Sequence, residues 1–263
     1  MKLFRSEYLN DYSNYTFGYA IYAVKEEQGD ITPIYNSGFL PYTGNPRLKY
    51  PVFYLGRSIR IDLENFSSSS ENKRVDRKSQ DLNPQVNRFK ITEFDIENNE
   101  FTDFCLNYAH ERFSNNAMDK SRLKYILHSG IATDIFRFTP AADSDETLGY
   151  VLAVVNDEIL HYWFSFYDTS YISEFALGKW MMWRMIKWSK DNGLKYTFLG
   201  TAYGEKSLYK IRDFKALEFF DGNNWNNDIK LLKSLCKTGV EFQKGDLFKR
   251  AEDPNKYIES LFY

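Results

Sequence analysis

TLGYVLAVVNDEILHYWFSFYDTSYISEFALGKWMMWRMIKWSKDNGLKYTFLG, residues 147–200, decides the fold. Two apolar and aromatic runs, Thr147–Val155 and Glu158–Tyr167, flank Asn156-Asp157. That pair suits a two-residue hairpin turn, so the runs read as antiparallel neighbours. From about Ser173 to Lys190 the period changes. Trp180, Met181, Trp183, Met185, Ile186 and Trp188 make the segment apolar nearly all round, the pattern of a helix packed on a sheet. Asn192-Gly193 supplies its C-terminal stop. Tyr196–Leu199 is then a short buried strand, and a strand reached through a helix implies a parallel crossover.

Upstream, Asp134–Phe138 reads as another strand, after two helices. In the first, Ile96–Asn115, residues Phe101, Phe104, Cys105 and Tyr108 recur at helical spacing. The second, Asp119–Ser129, is ended by Gly130. A mixed tail follows, with a helix over Asn227–Cys236. The order α-α-β-β-β-α-β is similar to that of an acetyltransferase-like (GNAT) sheet. The expected fold class is therefore α/β (α+β): a GNAT-like mixed sheet with a long crossover helix, over residues 91–263.

Residues 1–90 read as a smaller β-rich domain. Thr16–Val24 is an aromatic strand, and ITPIYNSGFLPYTGNP (31–46) carries turn chemistry at Ser37-Gly38, Thr43-Gly44 and Asn45-Pro46. Pro51–Leu63 is extended, and alternation from Arg57 to Leu63 gives one charged and one apolar face. Ser68 and Glu71 have capping-box spacing, which starts a helix. On it Lys73 and Arg77, and Arg74 and Lys78, fall four apart and form one cationic patch. Asp81–Asn87, around Pro84, reads as a connection.

Composition bounds the function. The 263 residues are 43% hydrophobic and 27% charged, with a net charge of −2. A globular chain fits, and any nucleic-acid footprint must be local. Cys105 and Cys236 lie in apolar helical patterns without a CxxC pair, as core residues of a reducing compartment do. His110, His128 and His161 lack ligand spacing, so no metal site is expected. MKLFRSEYLNDY is not a signal peptide, and no apolar run approaches about 18 residues. A cytoplasmic protein with no membrane partner is expected. There is no GxxxxGK[ST] or GxGxxG loop.

More specific motifs appear in both halves. Asn36-Ser37-Gly38-Phe39 with Tyr42-Thr43-Gly44 looks like one family's Gly-aromatic and Ser-Gly-aromatic stretch. Ile59-Arg60-Ile61-Asp62-Leu63, then Phe66 through Arg74 and Arg77-Lys78, is similar to its "I-R, then F-x-P-S-x-S-x-x-R-R" segment. Phe166-Tyr167-Asp168 with Leu177-Gly178 resembles "Y-D-P … S-L-G". Asn192–Tyr196 with Phe198-Leu199-Gly200 resembles "G-L-x-Y-x-Y-L-G". Tyr209-Lys210, Phe214-Lys215 and Glu218 resemble "M-x-Y-K-x-x-F-x-P-x-E". On these motifs, over residues 12–225, the chain resembles the arginyl-tRNA–protein transferases. It departs from them in lacking their N-terminal cysteine cluster, where Tyr15-Thr16-Phe17-Gly18 stands, and their Cys-Pro-Lys-Met pattern, where residues 202–207 read AYGEKS.

The resemblance implies an aminoacyltransferase that moves an amino acid, arginine first, from aminoacyl-tRNA to the N-terminal amine of a protein or peptide, as in N-degron tagging. Aminoacyl-tRNA would be the co-substrate, with no cofactor and no DNA partner. Lys73, Arg74, Arg77 and Lys78, with Ser69 and Ser70 at the helix start, are the expected phosphate contacts. Tyr167 and Asp168 stand where the strands should splay, beside the start of the long helix. There Asp168 would accept a proton from or hold the amine, or else cap the helix. Tyr209, with Tyr203 and Lys210, would line the cleft. Two other readings stay open: an acyl-CoA N-acetyltransferase, and a non-catalytic peptide- or RNA-binding relative. Against the first, 168–174 reads DTSYISE, with no glycine to cradle a pyrophosphate.

Overall fold

The computed structural model of the chain describes residues 1–11, 16–43, 48, 50–80, 82, 84–112, 118–140 and 145–238. Tyr15, the turn at residues 44–46, Asp81, Asn83 and the helix end expected at 113–115 lie outside them. Two compact units emerge. Unit 1 comprises Met1–Ile59, Gly200–Ile211 and Leu217–Tyr263; unit 2 comprises Arg60–Leu199 and Arg212–Ala216. Residues 60–90 thus fall in unit 2, and most of 200–263 in unit 1, whereas the sequence reading divides the chain once, at residue 90.

Unit 1 opens with β1 (Lys2–Asp11), β2 (Thr16–Val24), α1 (Ile31–Asn36), β3 (Phe39–Pro41) and β4 (Val52–Leu55). Its antiparallel sheet has the order β1-β2-β4-β3. β2 is the expected aromatic strand. Ile31–Asn36, read as part of a turn-rich stretch, is instead helical. Pro33 sits in its first turns, where a missing N–H is tolerated, and Ile31, Ile34 and Tyr35 are buried.

Unit 2 carries the mixed sheet and its helices. In chain order these are β5 (Ser58–Asp62), α2 (Ser70–Lys78), β6 (Gln85–Lys90), α3 (Asn99–Arg112), α4 (Lys120–His128), β7 (Asp134–Thr139), β8 (Gly149–Val155), β9 (Ile159–Tyr167), α5 (Ile172–Phe175), α6 (Leu177–Asp191) and β10 (Tyr196–Thr201). The sheet runs β5-β10-β9-β8-β7-β6 here. β6 to β9 are antiparallel neighbours. β9 and β10 are parallel through the α6 crossover, as the order of elements requires. The segment read as a connection around Pro84 leads into β6, an edge strand none of whose residues is buried. Prolines at strand starts are compatible with that role.

Adjacent residues on a strand point to opposite faces. On β7, Ile135 joins the core built on Phe101, Cys105, Tyr108, Leu123 and Ile126 of α3 and α4. Its neighbours Phe136 and Phe138 meet Trp188 and Trp180 of α6 at centroid distances of 5.0 and 5.8 Å. The helices therefore cover opposite faces. The one-sided alternation expected from Arg57 to Leu63 does not hold. Arg57 and Arg60 are as buried as their apolar neighbours. Arg60 spreads over the Tyr196 ring at 3.7 Å, and a planar guanidinium can be buried on an aromatic face.

Unit 1 resumes with most of α7 (Tyr209–Arg212), the hairpin β11 (Leu217–Phe220) and β12 (Trp225–Asn226), and α8 (Ile229–Thr238). Leu232 and Cys236 are the buried face of α8. Cys105 and Cys236 are both free and buried.

Candidate active site

The parallel ladder of β9 and β10 pairs Ile159 with Tyr196, Leu160 with Thr197 and His161 with Phe198. β9 runs on past these pairs to Tyr167. On its other side, Leu152 pairs with Phe164 and Ala153 with Tyr162, so Trp163 is an extra residue. Such a bulge bends its strand and increases local twist. The bulge lies just beyond the last β9–β10 pair, where it bends the end of β9.

Tyr167 ends β9. Its ring lies 4.6 Å from that of Tyr108 on α3. Burial and then the hydrogen bond to Tyr167 hold the Tyr108 hydroxyl neutral, well above the usual phenol range. On the other side stands Gly178, in the first turn of α6. A Cβ there would come within 2.5 Å of Tyr167 Cζ and 2.7 Å of its hydroxyl. Only glycine lets α6 start so close to the ring. Asp168 accepts from the Ser170 N–H at 2.8 Å and its hydroxyl at 2.6 Å, capping a 3-10 turn. The helix expected as one piece from Ser173 is broken at Ala176, whose φ of 52° separates α5 from α6. Apolar periodicity does not register a single left-handed residue.

α2 packs against α5 and α6 within the same unit. Its cap is Ser69, one residue later than expected. Ser69 Oγ accepts from the Asn72 N–H at 3.1 Å, and the Ser69 N–H donates to Asn72 Oδ1 at 2.9 Å. Asn72 closes the box because it stands three residues after that cap, and Glu71 is engaged elsewhere. Glu71 accepts two bonds of 2.6 Å from Arg74 and one of 2.6 Å from Lys179 on α6. Those bonds, Arg74 foremost, pull its carboxyl down to about 2. Lys179 also pairs with Asp213 at 2.7 Å, and Ser69 Oγ donates to the Asp213 carbonyl at 2.9 Å. The cationic patch is thereby divided. Arg74 is held by Glu71, while Lys73, Arg77 and Lys78 are exposed and form no ion pair among the described residues.

Tyr203, Tyr209 and Lys210 belong to unit 1. Tyr203 accepts the Arg57 N–H at 2.7 Å and stacks under its guanidinium at 5.0 Å. Tyr209 is exposed. The Lys210 amine approaches the Thr201 carbonyl at 3.4 Å and forms no ion pair among the described residues. Burial lowers its pKa to about 8. A lysine that loses its proton in this range can serve as an acid–base group near neutrality. With the lysines reductively 13C-methylated, one NMR signal should titrate near pH 8, well below the rest, and vanish in Lys210→Arg. The folded value lies below the unfolded one, so this group's burden on stability is greatest below pH 8 and is relieved as pH rises toward the unfolded value.

Sequence reasoning missed Tyr108, which reads as one more apolar position of α3, and Lys179. Leu177-Gly178 did carry a signal: a glycine opening an otherwise bulky helix. Among the described residues no His, Cys, Asp or Glu cluster could hold a metal. None of their helices is long and apolar enough to cross a membrane.

Residues 121–210 match the family model of an acetyltransferase (GNAT) domain, a span from α4 to α7. The chain is thus a mixed α/β protein with a GNAT-type domain and a small four-stranded N-terminal sheet. No curated protein matches it by sequence. Among solved structures it is similar to L-PGS from Bacillus licheniformis, with 11% identity, a TM-score of 0.41, and coverage of 69% of this chain and 54% of that one. It is also similar to FemX, with 11% identity, a TM-score of 0.41, and coverage of 69% and 63%. The chain therefore spans less than two thirds of either. At this similarity neither speaks to substrate.

Proposed function

We propose that the protein transfers an amino acid, arginine first, from aminoacyl-tRNA to the N-terminal amine of a protein or peptide. One observation carries this reading: exposed Lys73, Arg77 and Lys78 lie on a helix packed against α5 and α6, the helices that follow Tyr167. Cations there can hold the phosphates of an RNA end while the ester lies at the diverging end of β9. The ester is already activated, so the site needs only placement of the amine and polar groups at the carbonyl. The Tyr167–Tyr108 hydroxyl pair supplies a polar group held neutral. Asp168, with one oxygen committed to Ser170, positions the amine through the other.

The match to the acetyltransferase model favours a second reading, acetyl transfer from acetyl-CoA. Against it, residues 168–174 read DTSYISE, with no glycine to cradle a pyrophosphate and two acidic residues in the stretch. The deciding assay offers the protein tRNA charged with each labelled amino acid, and separately labelled acetyl-CoA, with peptides of varied N-terminus. Label from tRNA on the peptide amine is the expected result. Label from acetyl-CoA alone, or from neither donor, would overturn the proposal.

A further inference from the structure

A cleft of about 480 Å³ opens at the N-terminal end of α3, lined by Phe89, Phe94, Phe101, Phe104 and Tyr150 among others. The rings form a connected set. Phe94 meets Phe101 and Phe89 at 5.0 and 5.6 Å, and Tyr150 meets Phe101 and Phe104 at 4.9 and 5.4 Å. The same cleft is lined by the carboxylates of Asp95, Glu100 and Asp145, and by one cation, Arg137. Arg137 is held in place by two bonds: Nε donates to Thr147 Oγ1 at 3.0 Å, and a terminal nitrogen donates to the Asp145 carbonyl at 2.7 Å. The first free N–H groups of α3 are committed too, since Asn98 Oδ1 accepts from Glu100 and Phe101 at 2.8 and 3.3 Å. Glu100 and Asp145 accept no side-chain ion pair among the described residues.

We infer that this cleft binds an organic cation, a guanidinium or alkylammonium group on an apolar stem. Aromatic walls attract a cation through the negative faces of their rings and cover an aliphatic stem. The carboxylates at the rim fix its charged end. An anion would meet Arg137 but would also face three carboxylates, Asp95, Glu100 and Asp145. A neutral apolar ligand would leave those carboxylates partly desolvated without compensation. A concave surface that joins aromatic walls to converging polar groups is a usual form of a small-ligand site. The inference concerns binding alone and stands whether or not the chain transfers amino acids.

L-arginine amide and L-citrulline amide are the probes, matched in shape but differing in the charge of the side-chain head. Their α-amines are alike, so a difference reports the guanidinium. Binding is followed on the full chain by the fluorine signal of a fluorophenylalanine-labelled sample. Arginine amide should shift signals at millimolar concentration and citrulline amide should bind at least several-fold more weakly. The double variant Asp95→Asn and Glu100→Gln, at exposed positions, should weaken arginine amide about tenfold, by about 1.4 kcal/mol. Phe104→Leu should weaken it several-fold while leaving its salt dependence unchanged. Equal binding of the two amides, no binding of either, or unchanged affinity in the double variant would overturn the site.

Discussion

Replacing Lys73, Arg77 and Lys78 together with alanine is expected to weaken tRNA binding about a hundredfold near 0.1 M salt. The slope of log affinity against log salt should flatten by about 2–3 units, because each lost phosphate contact removes about 0.7–0.9. Alanine keeps the helix propensity of α2, so circular dichroism should not change. Arg74→Ala alone should matter less, since that guanidinium is held by Glu71 through two bonds of 2.6 Å. Filter binding across a salt series reads both numbers. An unaltered slope in the triple variant would remove α2 from any RNA contact.

Gly178→Ala is expected to destabilise the folded state through a single added methyl. The new methyl would lie 2.5 Å from Tyr167 Cζ, and the ring cannot swing away freely because Tyr108 backs it at 4.6 Å. Overpacking of this kind costs about 1–3 kcal/mol, or a fall of roughly 3–10 °C in Tm. Gly29→Ala is the matched control, since nothing lies within 4 Å of a Cβ there. In a Tyr167→Ala background the Gly178 change should become nearly silent, a coupling of at least about 1 kcal/mol. Thermal melts of the wild type and the four variants decide the matter. Equal melting of the two alanine variants would mean the ring and helix are not in the described contact.

Much of unit 2 is legible in sequence because its strands are covered on both faces. Residues 134–138, 147–155 and 158–167 are runs dominated by apolar and aromatic residues, and β7, β8 and β9 appear where those runs lie. β1 is harder, because its apolar residues come in adjacent pairs, Leu3-Phe4 and Tyr8-Leu9, rather than alternating with polar ones. The arginines at 57 and 60 mislead for a definable reason: their burial depends on Tyr203 and Tyr196, which lie far along the chain. In the candidate site, Tyr167, Asp168 and the α2 cations stand out as a strand end and a charge cluster. The division of that cluster by Glu71 could not be read, since it depends on Lys179 arriving from another helix. Nor could the aromatic cleft, whose lining comes from β6, α3, β7, β8 and the loops between them.

Ala176 closes the junction of α5 and α6 with a φ of 52°, a region where a side chain costs about 1 kcal/mol. A glycine would sit there without that cost, yet it would also widen the range of angles through which the two helices can swing. The methyl group works as a stop on a joint. The segment that follows Tyr167 is thereby held to a narrow set of orientations, giving up a little stability for a firm aim at whatever lies at the end of β9.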